Sequence, residues 1–173
     1  MKNILSLILT VLAIVVAQSQ VAIGKETVSN STVSLEFGDA NKGLLLPWVK
    51  SAPDVAGAVD GTIIYDTSDK KVKYRRNNSW FDLSIDITGK VDTSLQDNLT
   101  ENPNAKVAIG ANGATDTTPG ILVLTDINKA MILPKVPLPH ENIINPPAGM
   151  MVYDTTSRML AVYNGNVWTF WKP

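Results

Sequence analysis

Two pairs of residues hold most of the titratable chemistry this sequence could support. The first is His140-Glu141, set in Pro137-Leu138-Pro139-His140-Glu141-Asn142. An imidazole beside a carboxylate can act as a general base, but only with a positioned partner and a shielded pocket. Sequence neighbours rarely converge on one point, and His140 is the single histidine. It reads as an exposed residue of a proline-rich loop. The second pair, Asp66 and Asp154, fills the same place in Tyr65-Asp66-Thr67 and Tyr153-Asp154-Thr155. Across a twofold axis the two would make the carboxylate pair of a glycoside hydrolase. An Asp at a strand end more simply accepts backbone N–H groups and shapes the following turn. That is the role expected here, with Thr67 and Thr155 assisting.

Other chemistries are closed off by composition. The chain has no Cys, which removes disulfides, thiolate metal sites and thiol nucleophiles. Asp86, Asp92, Asp97, Asp116 and Asp126 are scattered, without the one-three-five ligand spacing of a calcium loop. No metal and no cofactor are expected, and the chain reads as non-enzymatic. Fifteen Lys plus Arg stand against 16 Asp plus Glu, a net charge of −1. That lacks the clustered basic surface a nucleic-acid binder needs.

The aromatics offer binding rather than catalysis. Trp48, Trp80, Trp168 and Trp171 are all the tryptophans of the chain, and large rigid rings serve as sugar platforms or protein anchors. Trp80 and Trp168 recur at matched positions and read as core anchors. Trp48 and Trp171 have no aromatic counterpart. With Tyr163 they are the expected binding residues, for a glycan or a surface protein.

The elements that must position these residues come in duplicate. Val21-Ala22-Ile23-Gly24 recurs at Val107–Gly110, an offset of 86. Asn41-Lys42-Gly43-Leu44-Leu45-Leu46-Pro47 recurs as Asn128-Lys129-Ala130-Met131-Ile132-Leu133-Pro134, an offset of 87. Gly61–Thr67 recurs at Gly149–Thr155, and Trp80 at Trp168, an offset of 88. Residues 20–84 and 107–173 are therefore expected to be two copies of one module, joined by a polar linker over 85–106. A short helix is expected near Ser94–Leu99.

Each copy reads as β-structure. Thr62–Asp66, Lys71–Arg75 and Ser79–Leu83 are strands split by turns, as are Met150–Asp154, Leu160–Tyr163 and Val167–Trp171. Asn164-Gly165 suits a tight type I′ turn, which needs positive φ at both central residues. Val33–Phe37, Ile121–Leu124, Leu44–Val49 and Met131–Val136 read as further strands. Pro137, Pro139, Pro146 and Pro147 are expected to bar regular structure from their loop. The fold class is all-β: two tandem copies of a small module, each ending in a three-stranded antiparallel meander. One such module is marginal alone by surface-to-volume scaling, so association with its copy or with other chains is expected.

Residues 1–19 read as a signal peptide. Met1-Lys2-Asn3 is basic, Ile4–Val16 is apolar, and Ala17-Gln18-Ser19 offers small residues for cleavage. Thirteen or so apolar residues make a helix of roughly 20 Å, short of a bilayer core of about 30 Å. The mature chain is expected to be exported, to the periplasm, cell surface or extracellular space, with no membrane span.

Together these blocks resemble a group of secreted repeat proteins of Bacteroidetes bacteria. The resemblance rests on Gln20-Val21-Ala22-Ile23-Gly24, on Asn41 to Val49, and on Pro146 to Thr155 followed by Tyr163-Asn164-Gly165 and Trp168. It covers nearly all of the mature chain. Copy 1 departs from the pattern with Arg75-Arg76-Asn77-Asn78, and copy 2 with Ala130 in place of Gly. The last block also resembles β-hairpin repeats of phage tail-fibre proteins, which are often trimeric. The resemblance implies a surface or fibre-like structural protein, adhesin-like, forming a homo-oligomer with a trimer favoured. It also implies that Asp116-Thr117-Thr118 and Asp154-Thr155-Thr156 are candidate O-glycosylation sites at Thr117 and Thr155. A carbohydrate-binding module is the alternative, and a hydrolase with paired carboxylates the more distant one.

Overall fold

Short runs of β-branched and aliphatic residues, cut at Pro, Gly, Asn and Asp, give short strands and little else. The computed structural model describes residues 20–172. The expected signal peptide over 1–19 lies outside the described residues. Copy 1 contributes β1 (Val21–Ile23), β2 (Val33–Phe37), β3 (Leu44–Leu45), β4 (Trp48–Val49), β5 (Ile63–Asp66), β6 (Lys71–Arg76) and β7 (Ser79–Asp82). Copy 2 contributes β8 (Val107–Ile109), β9 (Leu122–Leu124), β10 (Ala130–Ile132), β11 (Lys135–Val136), β12 (Met150–Asp154), β13 (Met159–Tyr163) and β14 (Trp168–Trp171). The architecture is all-β, and its seven strands per half correspond one to one.

Both antiparallel meanders form, β5-β6-β7 and β12-β13-β14. Their registers agree residue for residue at the sequence offset: Tyr65 faces Val72 where Tyr153 faces Leu160, and Arg75 faces Trp80 where Tyr163 faces Trp168. The expected long strands over 44–49 and 131–136 are each broken in two. Pro47 and Pro134 cannot donate to a ladder, so the chain turns there. The second pieces, β4 and β11, then run parallel to β5 and β12.

Three further expectations are corrected. Asn164-Gly165 is not a two-residue turn: β13 and β14 are joined by four residues, and of these Gly165 has φ +96° while Asn164 is not in the left-handed region. The two-residue turn is the other one, Asn77-Asn78, with φ +50° and +58° and Arg76 facing Ser79. Asn tolerates that region better than other side-chain residues. Pro139 does not exclude regular structure but begins a one-turn helix, α1 (Pro139–Asn142). Its missing N–H is an orphan at that position anyway. The linker forms hydrogen-bonded turns at Thr93–Leu99 rather than a helix.

The two halves are not side by side. Strand β10 of copy 2 joins β1 and β2 of copy 1 in a parallel three-stranded sheet. Strand β3 of copy 1 pairs antiparallel with β12 of copy 2. One core cluster mixes both halves: Leu46, Tyr65 and Val72 pack with Ala148, Met151 and Val162. A second lies wholly in copy 2, where Val136, Ile143, Met150, Val152 and Ala161 pack beneath Trp168 and Phe170. In copy 1 the matching outer face is charged instead, with Lys71 and Lys73 both paired to Asp82 at 2.6 Å. The face that is a second core in copy 2 is in copy 1 covered by these ion pairs, over the buried Ile64 and Lys73.

Candidate functional site

The contact between the two copies is the most elaborated feature of the molecule. Alternation along β5 and β6 puts Tyr65 and Val72 on one face. The same alternation puts Met151 and Val162 on the facing side of copy 2. The Tyr65 hydroxyl donates to the Asn164 carbonyl at 2.9 Å, and Trp48 Nε1 donates to the Ala148 carbonyl at 2.7 Å. Gly149, with φ +81°, lets Tyr65 approach so closely that a Cβ there would lie 2.8 Å from that of Tyr65. Gly43 is equally crowded, since an added Cβ would meet Met150 and Val152 at under 3 Å. This explains Gly in copy 1 where copy 2 has the exposed Ala130.

The expected binding residues fall out differently. Trp48 is half-buried against Tyr65, with ring centroids 6.2 Å apart. Trp171 is 37% exposed, but its Nε1 donates to the Leu83 carbonyl of copy 1 at 2.6 Å. Both unmatched tryptophans thus tie one copy to the other. Tyr163 packs on Trp168 at 5.2 Å beside the second core. Nothing brings Trp48, Trp171 and Tyr163 onto one platform. Of the matched pair, Trp168 packs on the second core cluster while Trp80 sits in neither cluster, with the Arg75 guanidinium 5.7 Å above its ring.

Asp66 and Asp154 do matched structural work. Asp66 accepts from Ala52 N at 2.8 Å, Ser68 N at 2.9 Å and Ser68 Oγ at 2.6 Å. Asp154 accepts from Leu138 N at 3.1 Å, Thr156 N at 2.9 Å and Ser157 Oγ at 2.6 Å. Each carboxylate clamps the start of the short helical turn before its own strand, Ala52–Asp54 or α1. Burial pushes both carboxyls up, but these hydrogen bonds outweigh it and hold both below the usual carboxylate range. Thr67 Oγ1 donates to the Val49 carbonyl at 3.0 Å, while Thr155 is exposed. His140 is exposed, 3.6 Å from Glu141 and edge-on to Phe170.

The scattered acids also serve their own turns. Asp86, Asp92 and Asp116 each accept the backbone N–H two residues on, at 2.7 to 3.0 Å. Asp126 accepts from Ala111 N and from Ser34 Oγ of β2. Thr117 is exposed beside Asp116. Among the described residues no cluster of His, Cys, Asp and Glu could hold a metal ion. An open depression of about 480 Å³, lined by Asp39, Ala40, Asn41, Lys135, Pro137 and Thr155, gathers no catalytic set.

A residue that sequence reasoning missed is Glu36, buried in β2. Its carboxylate accepts from Lys25 Nζ at 2.7 Å and from Ser29 N and Oγ at 2.6 Å. The Lys25 ammonium first, then Ser29, hold its pKa at about 2. Alternation with Val33, Leu35 and Phe37 places this acid on the opposite face of the strand, so the sequence pattern points to solvent and carries no sign of its burial.

The repeated half that carries α1, the second core and half of the contact between copies is the part with known likenesses. Residues 99–172 match the family model described as phage tail like trimerisation region. The matched stretch runs from the end of the linker through β14, under half of the chain. It supports the likeness to tail-fibre proteins and a self-associating, trimeric character for the matched region. No curated protein and no solved structure matches the chain. Among the described residues no helix is long and apolar enough to cross a membrane.

Proposed function

We propose that this chain is an exported, non-catalytic, fibre-like structural protein that assembles as a homotrimer and acts at a surface in an adhesin-like way. The observation that carries the proposal is the match of residues 99–172 to a trimerisation region. In support, the acids that could have formed a dyad are each fixed by backbone and hydroxyl donors of their own turns. On this reading residues 20–84 and 107–173 are two copies of one unit linked by 85–106, and residues 1–19 are a cleaved leader. Thr117 and Thr155, both exposed at turns, are the proposed sites of O-linked glycan. Light scattering on residues 20–173 across a range of concentrations tests the assembly. A mass of three chains supports the proposal. A folded monomer at every concentration defeats it and turns attention to discrete ligand binding.

A further inference from the structure

Copy 1 meets copy 2 through three linked contacts, and in each the equivalent surface of the other copy is left open. First, the Tyr65–Val72 end of the copy 1 sheet is closed over by copy 2, and Tyr65 is 0% exposed. The equivalents of Tyr65 and Leu83 in copy 2, Tyr153 and Trp171, are each 37% exposed, while Leu160, the equivalent of Val72, packs on the shared cluster. Gly149 is crowded: an added Cβ would stand 2.8 Å from the Tyr65 Cβ and 3.3 Å from Trp48 Nε1. Its equivalent Gly61 has nearly the same backbone, φ +91°, and nothing within 4 Å of where a Cβ would stand. Second, β3 covers the first half of one edge of β12, at Leu45–Met150 and Leu44–Met151. The matching half-edge of β5, at Thr62 and Ile63, has no strand on it. Third, β10 lies on the free edge of β2, with Met131 facing Leu35 and Ile132 facing Glu36. The matching edge of β9 is bare, because β8 and β9 form a two-stranded sheet by themselves. Val107, Ile121 and Leu122 are exposed there.

These vacancies share one geometry. In each completed contact, strand 3 of one copy reaches strand 5 of the copy after it or strand 2 of the copy before it. Each vacancy is the same step taken past the end of the chain. We propose that copy 2 of one chain docks on copy 1 of the next by repeating the contact that copy 1 makes on copy 2 within a chain. This rests on the trimeric reading above and specifies its interface. Tyr153 and Trp171 close over the Ile63 end of the next chain's sheet. β10 pairs with its β5, Met131 facing Ile63 and Ile132 facing Thr62. Its β3 pairs with β9, Leu44 facing Leu122 and Leu45 facing Val123. Such a contact is head-to-tail, and three of them close a ring of three chains when the rotation permits. Strand addition to a bare edge supplies main-chain hydrogen bonds as well as apolar burial. Leu45, the strand residue that would meet β9, is exposed within the single chain, as such a contact requires.

The chain has no Cys, so an engineered pair reports directly. Residues 20–173 carrying both Leu45→Cys and Val123→Cys are oxidised and run under denaturing, non-reducing conditions, beside light scattering of the unsubstituted protein. Covalent species up to three chains, collapsing on reduction and capped at two chains in either single variant, are expected. A trimer by scattering that gives no such link, or a disulfide closed within one chain, overturns the interface and leaves the trimer standing. A monomer by scattering overturns both. Tyr153→Glu gives a second reading, since that side chain is partly exposed in the single chain. At least a tenfold loss of trimer at fixed concentration, with an unchanged far-ultraviolet spectrum, is expected. An undiminished trimer overturns the proposal.

Discussion

The Tyr65 hydroxyl reaches 99 residues along the chain to donate to the main-chain carbonyl of Asn164 at 2.9 Å. It joins the Tyr-Asp-Thr segment of one copy to the Tyr-Asn-Gly segment of the other. Asn164 is itself fully buried and organises the loop around it. Its Oδ1 accepts from Asn166 N and Val167 N, and its Nδ2 donates to Asp86 Oδ1 in the linker. The bond therefore ties together both copies and the segment between them.

Removing the hydroxyl should be felt in two ways. Tyr65→Phe leaves the packing in place and deletes one buried hydrogen bond, a loss of about 1 kcal/mol, or roughly 2–4 °C in melting temperature for a chain of this size. Burial first, then Asp69 and Asp66, pushes the phenol up to about 12 from an ordinary value of 10.0. The folded state thus holds the proton more tightly than the unfolded state. Its contribution is complete below pH 10 and fades as pH rises from 10 towards 12. The melting temperature of the parent should fall more steeply over that window than that of Tyr65→Phe, and parallel curves would count against the assignment.

The loop at Gly165 should be intolerant of any side chain. Its φ of +96° disfavours β-branched residues, and an added Cβ would lie 1.7 Å from the Lys90 carbonyl oxygen of the linker. Gly165→Val is expected to cost well over 1 kcal/mol. Asn78→Val, at an exposed left-handed turn position with φ +58°, should cost only the backbone term of about 1–2 kcal/mol. Chemical denaturation of the two variants gives the comparison.

Glu36 makes stability acid-sensitive. Its carboxyl is held at about 2 by Lys25 and Ser29 against an ordinary 4.5. A depressed folded pKa means that the contribution is present above 4.5 and is lost as pH falls from 4.5 towards 2. Asp66 and Asp154 act with the same sign. Glu36→Gln should melt lower than the parent at pH 7, and the gap should narrow between pH 4.5 and pH 2. A gap constant with pH would show that the charge of Glu36 is not what holds the Lys25–Ser29 loop.

What the sequence could reveal follows from how local each feature is. The strands of the meanders, and β2 of the parallel sheet, are legible because strand alternation and turn residues are set by neighbours: Met150–Asp154 and Val33–Phe37 stand where the pattern puts them. The jobs of Asp66 and Asp154 were legible too, since an Asp two residues before a backbone donor reaches only so far. The crossing of β3 and β10 between copies was not legible, because two- and three-residue strands carry no periodicity and their partners lie 80 or more residues away. The Asn164-Gly165 dipeptide, taken alone, favours a tight two-residue turn. Burial of the Asn164 side chain among linker groups overrode that preference and widened the loop, while Asn77-Asn78, free of such demands, kept the two-residue form. Trp48 and Trp171 stand out in the sequence as tryptophans without an aromatic counterpart, expected there to bind a glycan or surface protein. Their contacts with the other copy depend on a packing that no single module displays.

Those two tryptophans give the last prediction. If they serve the contact between copies, removing only the indole N–H should weaken the fold. Trp48→Phe deletes the 2.7 Å bond to the Ala148 carbonyl and leaves that part-buried acceptor unpaired, a cost of about 1–3 kcal/mol. Trp171→Phe deletes the 2.6 Å bond to the Leu83 carbonyl, but at an exposed edge where water can replace the donor, so the cost should be below about 1 kcal/mol. Melting curves of both variants test the order. A Trp48→Phe protein as stable as the parent would remove the indole from the contact between copies and return it to the surface as a candidate sugar platform.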